Sequence, residues 1–148
     1  MRSRAEIVII GAGVIGLSIA YRLAERGISD IIVLEQGYIG FGASGRSAGS
    51  ITQQWDDKEL IILAKESLKT YRGLAADLNY NVFFRQDGYL RLAQNEDEVK
   101  ALRKSVGLQN SLGVRSRYLE LGEVKDLVPH INTKRILGAS YCAEDGAV

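Results

Sequence analysis

Residues 6–16 read EIVIIGAGVIG, and residues 31–35 read IIVLE. Each stretch contains an unbroken run of apolar, mostly β-branched residues, which is typical of a strand buried in a parallel sheet. From Val14 to Arg26 the apolar residues recur near helical spacing, and Gly27 is well placed to end a helix. The sequence therefore predicts a strand, a helix and a second strand joined as a right-handed β-α-β unit.

Three glycines separate the first predicted strand from the helix in the pattern G-x-G-x-x-G. Gly11 permits a tight turn, Gly13 leaves room for a pyrophosphate against bare backbone, and Gly16 lets the helix pack closely on the strand. The first amides of the helix and its dipole favour negative charge. The pattern predicts a phosphate site formed by Gly11, Ala12, Gly13, Val14, Ile15 and Gly16. The alternative is a glycine-rich turn that binds nothing.

An acidic residue, Glu35, ends the second predicted strand at nearly the spacing expected for a carboxylate that binds an adenosine ribose. The same carboxylate would repel a 2′-phosphate, and Gln36 and Gly37 follow it where a basic residue would be expected for NADP. The sequence therefore favours FAD or NAD over NADP.

The segment from Gly37 to Gly49 contains five glycines and several serines and alanines, which predicts a loop. Small residues let the backbone approach a ligand, hydroxyls can bond phosphate or ribityl oxygens, and Arg46 can offset pyrophosphate charge. Because an NAD-binding domain would normally continue into another crossover, this loop favours FAD. The alternative is a flexible surface loop with a solvated arginine. The predicted cofactor contacts beyond Glu35 are Gln36, Ser44, Gly45, Arg46, Ser47, Ala48 and Gly49.

The remaining patterns predict an α/β fold, in which a Rossmann-like FAD-binding βαβ unit is followed by an α+β part. A long amphipathic helix at residues 57–78, capped by Asp56 or Asp57, is expected to pack on the first part. Further predicted elements are an Asp-Gly hairpin joining residues 82–85 to 89–93, helices at 96–112 (capped by Asn95) and 122–127, and strands at 118–121 and 136–143.

Composition limits the possible partners. Nineteen Lys and Arg balance eighteen Asp and Glu, so the charge offers no field that would favour nucleic acid or an anionic membrane. The apolar runs are too short to cross a bilayer, and a cytoplasmic location is the default expectation. The single cysteine, Cys142, has no disulfide or zinc partner and is expected to be buried in a reducing compartment, and no metal site is predicted.

Few other side chains suggest chemistry. His130 follows Pro129 in a turn-like stretch, where a surface or structural role is expected. Trp55 is interpreted as a buried aromatic anchor, with a role in a ligand pocket as the alternative. Tyr71 is expected in the core, and the acidic residues 96–98 suit the first turn of a helix. No catalytic residue is assigned.

Taken together, these residues resemble the D-amino-acid oxidase superfamily of FAD-dependent oxidoreductases, in the branch of glycine oxidase, sarcosine oxidase and related amino-acid dehydrogenases. The resemblance is strongest through residue 49, in the two glycine-containing segments and Glu35, and looser beyond it. The later segments that resemble the family are Asp87 to Leu90, Leu92-Ala93, Leu121 to Pro129, Tyr141 and Asp145-Gly146.

The resemblance implies a domain division, an activity and a longer polypeptide. Residues 1–79 are expected to be the amino-terminal part of the FAD-binding domain, and residues 80–148 the incomplete start of an α+β substrate domain. Such enzymes oxidise the C–N bond of a small amine or amino acid by hydride transfer to flavin, and the imine formed then hydrolyses. Later strands of the nucleotide-binding sheet and a segment closing over the flavin are expected to follow Val148. This chain is therefore expected to be a fragment or one part of the enzyme, with a partner subunit or a carboxy-terminal half. The alternative is a non-catalytic dinucleotide-binding subunit that needs a partner chain.

Overall fold

The chain contains two compact units, which divide between Ala48 and Gly49 in a computed structural model that describes residues 4–148. Its elements in chain order are β1 (Ile7–Ile10), α1 (Val14–Glu25), β2 (Ile31–Leu34), β3 (Ser50–Ile51), α2 (Lys58–Asp77), β4 (Tyr89–Ala93), α3 (Glu96–Ser111), β5 (Ser116–Glu120), α4 (Leu121–Leu127), β6 (Gly138–Cys142) and β7 (Gly146–Ala147).

The first unit is built on the predicted β-α-β sequence. β1 and β2 pair in parallel, with Ile7 opposite Ile31 and Ile10 opposite Leu34. Gly27 adopts a φ of 84° just beyond α1, and its N–H donates to the carbonyl of Ala24 at 2.9 Å. The predicted glycine stop is therefore confirmed, because glycine adopts a positive φ without the steric cost of a Cβ. Residues 37–48 form a loop, as expected, with one short 3₁₀ helix at Ser44–Arg46.

The second unit contains a three-stranded antiparallel sheet in the order β4-β6-β5. A separate two-stranded ladder joins β3 to β7. The predicted helices at residues 96–112 and 122–127 and the strands at 89–93, 118–121 and 136–143 are all found, with bounds shifted by a few residues. The mixed helix and strand content agrees with the expected α/β class.

The predicted Asp-Gly hairpin is wrong. β4 pairs with β6, with Tyr89 opposite Cys142, and residues 82–85 form only a single bridge from Arg85 to Ala147. The Gly88 N–H donates to the carbonyl of Asp145 at 3.0 Å. A turn signal describes only the local backbone. The partner of β4 depends instead on the central strand β6, which hydrogen-bonds on both edges and is largely buried.

The long helix α2 belongs to the second unit rather than to the first part of the chain. Its Ile61 is fully buried in a cluster with Val114 and Cys142, so its apolar stripe has its partners among residues that come later in the sequence. Of the two predicted caps, Asp57 is the one used, because its carboxylate accepts the N–H of Leu60 at 2.9 Å.

The predicted domain boundary at residues 79 and 80 concerns the domains of a complete enzyme and stays a prediction.

A second core cluster joins Leu119, Val124 and Ala139 between β5, α4 and β6. Within residues 4–148, no helix is both long enough and apolar enough to cross a membrane.

Candidate functional site

The turn between β1 and α1 has the geometry that its glycines predict. Gly11 has a φ of 102°, which favours glycine, and its N–H donates to the carbonyl of Leu34 at 2.7 Å. A Cβ added at Gly16 would lie 2.0 Å from the carbonyl oxygen of Gly11, so only glycine lets the helix approach this closely. Gly13 is the N-cap of α1 and lies in extended backbone, with no side-chain cap of its own.

The carboxylate of Glu35 lies at the mouth of this turn. Oε2 accepts the N–H of Ala12 at 2.9 Å, and Oε1 accepts the N–H of Gly37 at 2.9 Å. The hydrogen bond from Ala12, followed by that from Gly37, holds the pKa of the Glu35 carboxyl below its usual value. Glu35 is therefore ionised at neutral pH, and each carboxylate oxygen still has capacity to accept another hydrogen bond.

The loop after β2 folds back onto the same turn. The Oγ of Ser44 accepts the N–H of Val14 at 2.9 Å, and a Cβ added at Gly13 would lie 3.1 Å from that oxygen. The N–H of Gly40 also donates to the carbonyl of Ala12 at 3.0 Å. Val14 is one of the residues expected to contact phosphate. Its N–H donates here to the hydroxyl of Ser44, and its contact with phosphate stays a prediction. This contact joins residues thirty positions apart, and no local sequence pattern indicates it.

A cavity of about 490 Å³ opens between the turn and the loop. Its wall is made of small, apolar and hydroxyl-bearing residues, and Ile10 and Ile15 in that wall are 88% and 74% exposed. The lining residues are Ile9, Ile10, Gly11, Gly13, Val14, Ile15, Gly16, Ile19, Ala43, Ser44 and Ser47. Seven of the sequence-predicted cofactor residues therefore meet around one space.

Arg46 is directed at its own loop. Its Nη1 donates to the carbonyl oxygens of Gly42, at 3.0 Å, and Phe41, and the guanidinium carbon lies 5.0 Å from the centre of the Phe41 ring. The guanidinium thus braces residues 41–46. Its predicted role beside pyrophosphate stays a prediction.

The other predicted cofactor residues lie outside the lining of this cavity. Ala12 is buried and meets Glu35 through its N–H. Gly45 donates its N–H to the carbonyl of Gly40, while Gln36 and Ala48 are exposed. Gly49 belongs to the second unit, where its φ is 73° and its carbonyl accepts the N–H of Val148 at 3.0 Å.

The remaining single residues have simple environments. Cys142 is fully buried, as expected, and burial together with the charge of Asp145 raises the pKa of its thiol to about 11. His130 is exposed. Trp55 is 45% exposed and lines a cavity beside α2, so the expected buried anchor is wrong, and a role in a ligand pocket stays a prediction. Among residues 4–148, no group of three or more His, Cys, Asp or Glu side chains is placed to hold a metal ion.

Comparison with known proteins gives the family and the fold that this chain resembles. The family model described as "FAD dependent oxidoreductase" (DAO) matches residues 6–148. The chain is 36% identical over 141 residues to sarcosine oxidase subunit beta of Rhodobacter capsulatus, covering 95% of this chain and 33% of that protein. It is 30% identical over 146 residues to the mitochondrial pyruvate dehydrogenase phosphatase regulatory subunit of Mus musculus, covering 99% of this chain and 17% of that protein.

A solved structure has the same fold. The L-proline dehydrogenase from P. horikoshii superposes with a TM-score of 0.89 at 31% identity, covering 100% of this chain and 39% of that one. The chain therefore spans well under half the length of each of these proteins.

Proposed function

Because the chain belongs to the DAO family of FAD-dependent oxidoreductases, we propose that the turn after β1 holds the ADP half of FAD for an enzyme that oxidises the C–N bond of an amino acid or secondary amine. The observation that carries the proposal is the position of the Glu35 carboxylate, which lies on the N–H of Ala12 within the turn. A carboxylate fixed there suits ribose hydroxyls and repels a 2′-phosphate.

The residues of the turn fit a pyrophosphate. Gly16 lets the start of α1 approach the end of β1, and the helix dipole favours negative charge at this end. We assign Gly11, Ala12, Gly13, Val14, Ile15 and Gly16 to the pyrophosphate. Since the Ser44 hydroxyl accepts from Val14 and keeps its own proton, it can donate that proton to a phosphate oxygen.

The loop supplies the second set of proposed contacts. Ser47 lines the cavity, and the guanidinium of Arg46 has N–H groups beyond Nη1 that can face phosphate. The backbone of the loop offers close approach where side chains are small. The proposed loop contacts are Gln36, Ser44, Gly45, Arg46, Ser47, Ala48 and Gly49.

When bound, FAD would supply the acceptor for hydride from the carbon that bears the amine. The residues of this chain hold and orient the cofactor, and none of them is assigned to moving a proton. Support for the substrate class comes from two relatives whose names, sarcosine oxidase and L-proline dehydrogenase, each specify a secondary amino acid. For location we propose the cytoplasm, consistent with a single cysteine that forms no disulfide.

A non-catalytic dinucleotide-binding subunit is the second candidate. The similarity to a protein named as a regulatory subunit favours it. The two functions differ in one observation: an amine substrate bleaches the colour of bound flavin in an enzyme and leaves it unchanged in a binding subunit.

The cofactor assignment is tested by titrating the purified chain with FAD and by comparing ADP with ADP phosphorylated at the 2′ position. We expect the chain to bind FAD and to prefer unphosphorylated ADP. Glu35→Gln should weaken FAD binding by roughly tenfold, because one acceptor becomes an N–H₂ that faces a backbone donor. Because the pKa of Glu35 is lowered, the loss of wild-type FAD binding on acidification should come at a lower pH than an unperturbed glutamate would give.

Glu66→Gln is the matched control, because Glu66 is an exposed carboxylate on α2 that pairs with Lys69. Its FAD affinity should equal that of the wild type. Absence of FAD binding by the wild-type chain, or equal affinity in Glu35→Gln, would contradict the assignment.

A further inference from the structure

A buried carboxylate that the cofactor site does not use lies between β6 and β7. Asp145 is fully buried, and both of its oxygens accept hydrogen bonds. Oδ1 accepts from the backbone N of Gln53 at 3.0 Å and from its Nε2 at 3.2 Å. Oδ2 accepts from the Oγ1 of Thr52 at 2.6 Å and from the Nε2 of Gln54 at 3.1 Å. These four donors are neutral, and all belong to residues 52–54.

This arrangement couples the carboxylate to the segment. A buried carboxylate is tolerated only where hydrogen bonds replace its lost hydration, so residues 52–54 must keep one conformation to satisfy Asp145. In return, the carboxylate fixes one backbone N–H and three side-chain groups of those residues. Networks of this kind specify a single local structure when every member is satisfied.

A second set of hydrogen bonds reinforces the same segment. The side chain of Gln54, 2% exposed, donates from Nε2 to the carbonyl of Tyr89 at 2.8 Å and accepts at Oε1 from the Oγ of Ser140 at 2.7 Å. Arg91 donates to the Gln54 carbonyl, and the Nε2 of Gln109 donates to the carbonyl of Trp55 at 3.0 Å. The backbone from residue 52 to 55 is therefore held from three sides.

The segment directly follows the proposed cofactor loop. β3 continues from Gly49 and pairs with β7, with Ser50 opposite Ala147 and Ile51 opposite Gly146. Asp145 immediately precedes β7. The downstream end of the loop is thus anchored by the pairing of β3 with β7. Directly beside this ladder, the Asp145 carboxylate joins the residue before β7 to Thr52, the residue after β3.

We propose that Asp145 is a positioning residue for the cofactor loop. Its carboxylate fixes residues 52–54, and through β3 it fixes the point where residues 44–49 end. The loop is then already anchored at one end before FAD arrives, and binding loses less conformational entropy. This inference rests on the proposed function, because it takes residues 44–49 as a cofactor segment.

Two side chains that can serve as natural probes lie beside the hydrogen bonds between Asp145 and residues 52–54. Trp55, the only tryptophan, donates from Nε1 to the carbonyl of Thr52 at 3.1 Å. Cys142, the only cysteine, is fully buried, with its Sγ 3.9 Å from the Nε2 of Gln53. Trp55 emission therefore reports the conformation of the segment, and the rate at which a thiol reagent modifies Cys142 reports its opening.

The test compares FAD titrations of the full chain and of Asp145→Asn. The asparagine keeps the shape of the side chain but replaces one carboxylate oxygen with an N–H₂ group. That new donor would face the donors of Gln53 in one orientation of the amide, and those of Thr52 and Gln54 in the other. We expect FAD affinity to fall roughly tenfold, Trp55 emission to shift and thiol modification to accelerate. Thr52→Val, which removes one of the four donors, should change all three readouts in the same direction by a smaller amount. It decides the question if Asp145→Asn does not fold.

Val124→Ala is the control, because Val124 is fully buried in the other core cluster. It should lower the melting temperature while FAD affinity and Trp55 emission stay at wild-type values. Wild-type affinity for FAD in the folded Asp145 and Thr52 variants, or an equal loss in Val124→Ala, would overturn the positioning role and leave the proposed function intact. Failure of the wild-type chain to bind FAD would instead overturn the proposed function.

Discussion

A single carbon atom decides whether the turn after β1 can close. The Cβ that any other residue would bring to position 16 would lie 2.0 Å from the carbonyl oxygen of Gly11. Gly11 itself needs glycine for a different reason, its φ of 102°, while nothing would lie within 4 Å of an added Cβ. One glycine is thus required by space and the other by backbone conformation.

The requirement at Gly16 predicts the effect of one methyl group. Gly16→Ala should destabilise the chain by about 2 kcal/mol or more and abolish FAD binding, since β1 and α1 must move apart. Gly107→Ala, in α3, should stabilise it by about 0.5–1 kcal/mol, because alanine favours helix and its Cβ meets no atom within 4 Å. Denaturant unfolding with FAD titration measures both effects. Wild-type stability in Gly16→Ala would show that the turn does not need this close approach.

The helices begin in two different ways. α2 and α3 have side-chain caps of their own, in which Asp57 accepts from Leu60 N and Asn95 accepts from Glu98 N, each at 2.9 Å. α1 begins at Gly13 without one, and its Val14 amide is met by Ser44 from the loop. The amides at the start of α1 therefore depend on groups from outside the helix, which is the condition of a helix terminus that binds an anion.

This difference predicts separable effects of two substitutions. Asn95→Ala should cost about 1 kcal/mol of unfolding free energy, as the loss of an N-cap usually does, and leave FAD affinity unchanged. Ser44→Ala should lower stability, because the Val14 amide loses its acceptor. It should also lower FAD affinity, because the hydroxyl proposed to donate to a phosphate oxygen is removed. Thermal unfolding and FAD titration of the two variants distinguish the cases, and equal FAD affinity in both would contradict the role of Ser44.

At the scale of the molecule, ionisable side chains with shifted pKa values make the free energy of unfolding depend on pH at both the acidic and the alkaline end. Hydrogen bonding to Arg91 holds the pKa of Asp56 below its usual value, and hydrogen bonds from Arg115 and Arg72 do the same for Glu144. Stability from these carboxylates is present above their usual pKa and is lost as the pH falls through the folded values. Cys142 acts at the alkaline end, where burial favours the neutral thiol.

The Cys142 thiol predicts an alkaline loss of stability. Its contribution is complete below pH 9, the usual thiol value, and disappears as the pH rises to about 11, where the folded protein also ionises. Unfolding free energy should fall by roughly 3 kcal/mol from this group over that range. Cys142→Ala is less stable at neutral pH but should lack this component. The difference between the two pH profiles measures it, and parallel profiles would contradict it.

For the candidate site, sequence patterns predicted the turn, the acid at the end of β2 and the loop that follows. They could not predict the contact of Ser44 with Val14 or the brace between Arg46 and the carbonyl of Gly42. Both depend on how the loop folds back, and its small residues leave many conformations open. The residue-by-residue cofactor contacts stay predictions.

The sequence by itself determined the β-α-β unit, the Asn95 cap and the glycine pattern of the G-x-G-x-x-G turn. These features depend on hydrophobic periodicity and on residues that are close neighbours in the chain, so they can be predicted from the sequence alone. Only the tertiary structure decided that β4 pairs with β6 and that Asp145 holds residues 52–54. The physical reason is that both join residues far apart in the chain, where burial of a central strand and of a carboxylate outweighs local turn preference.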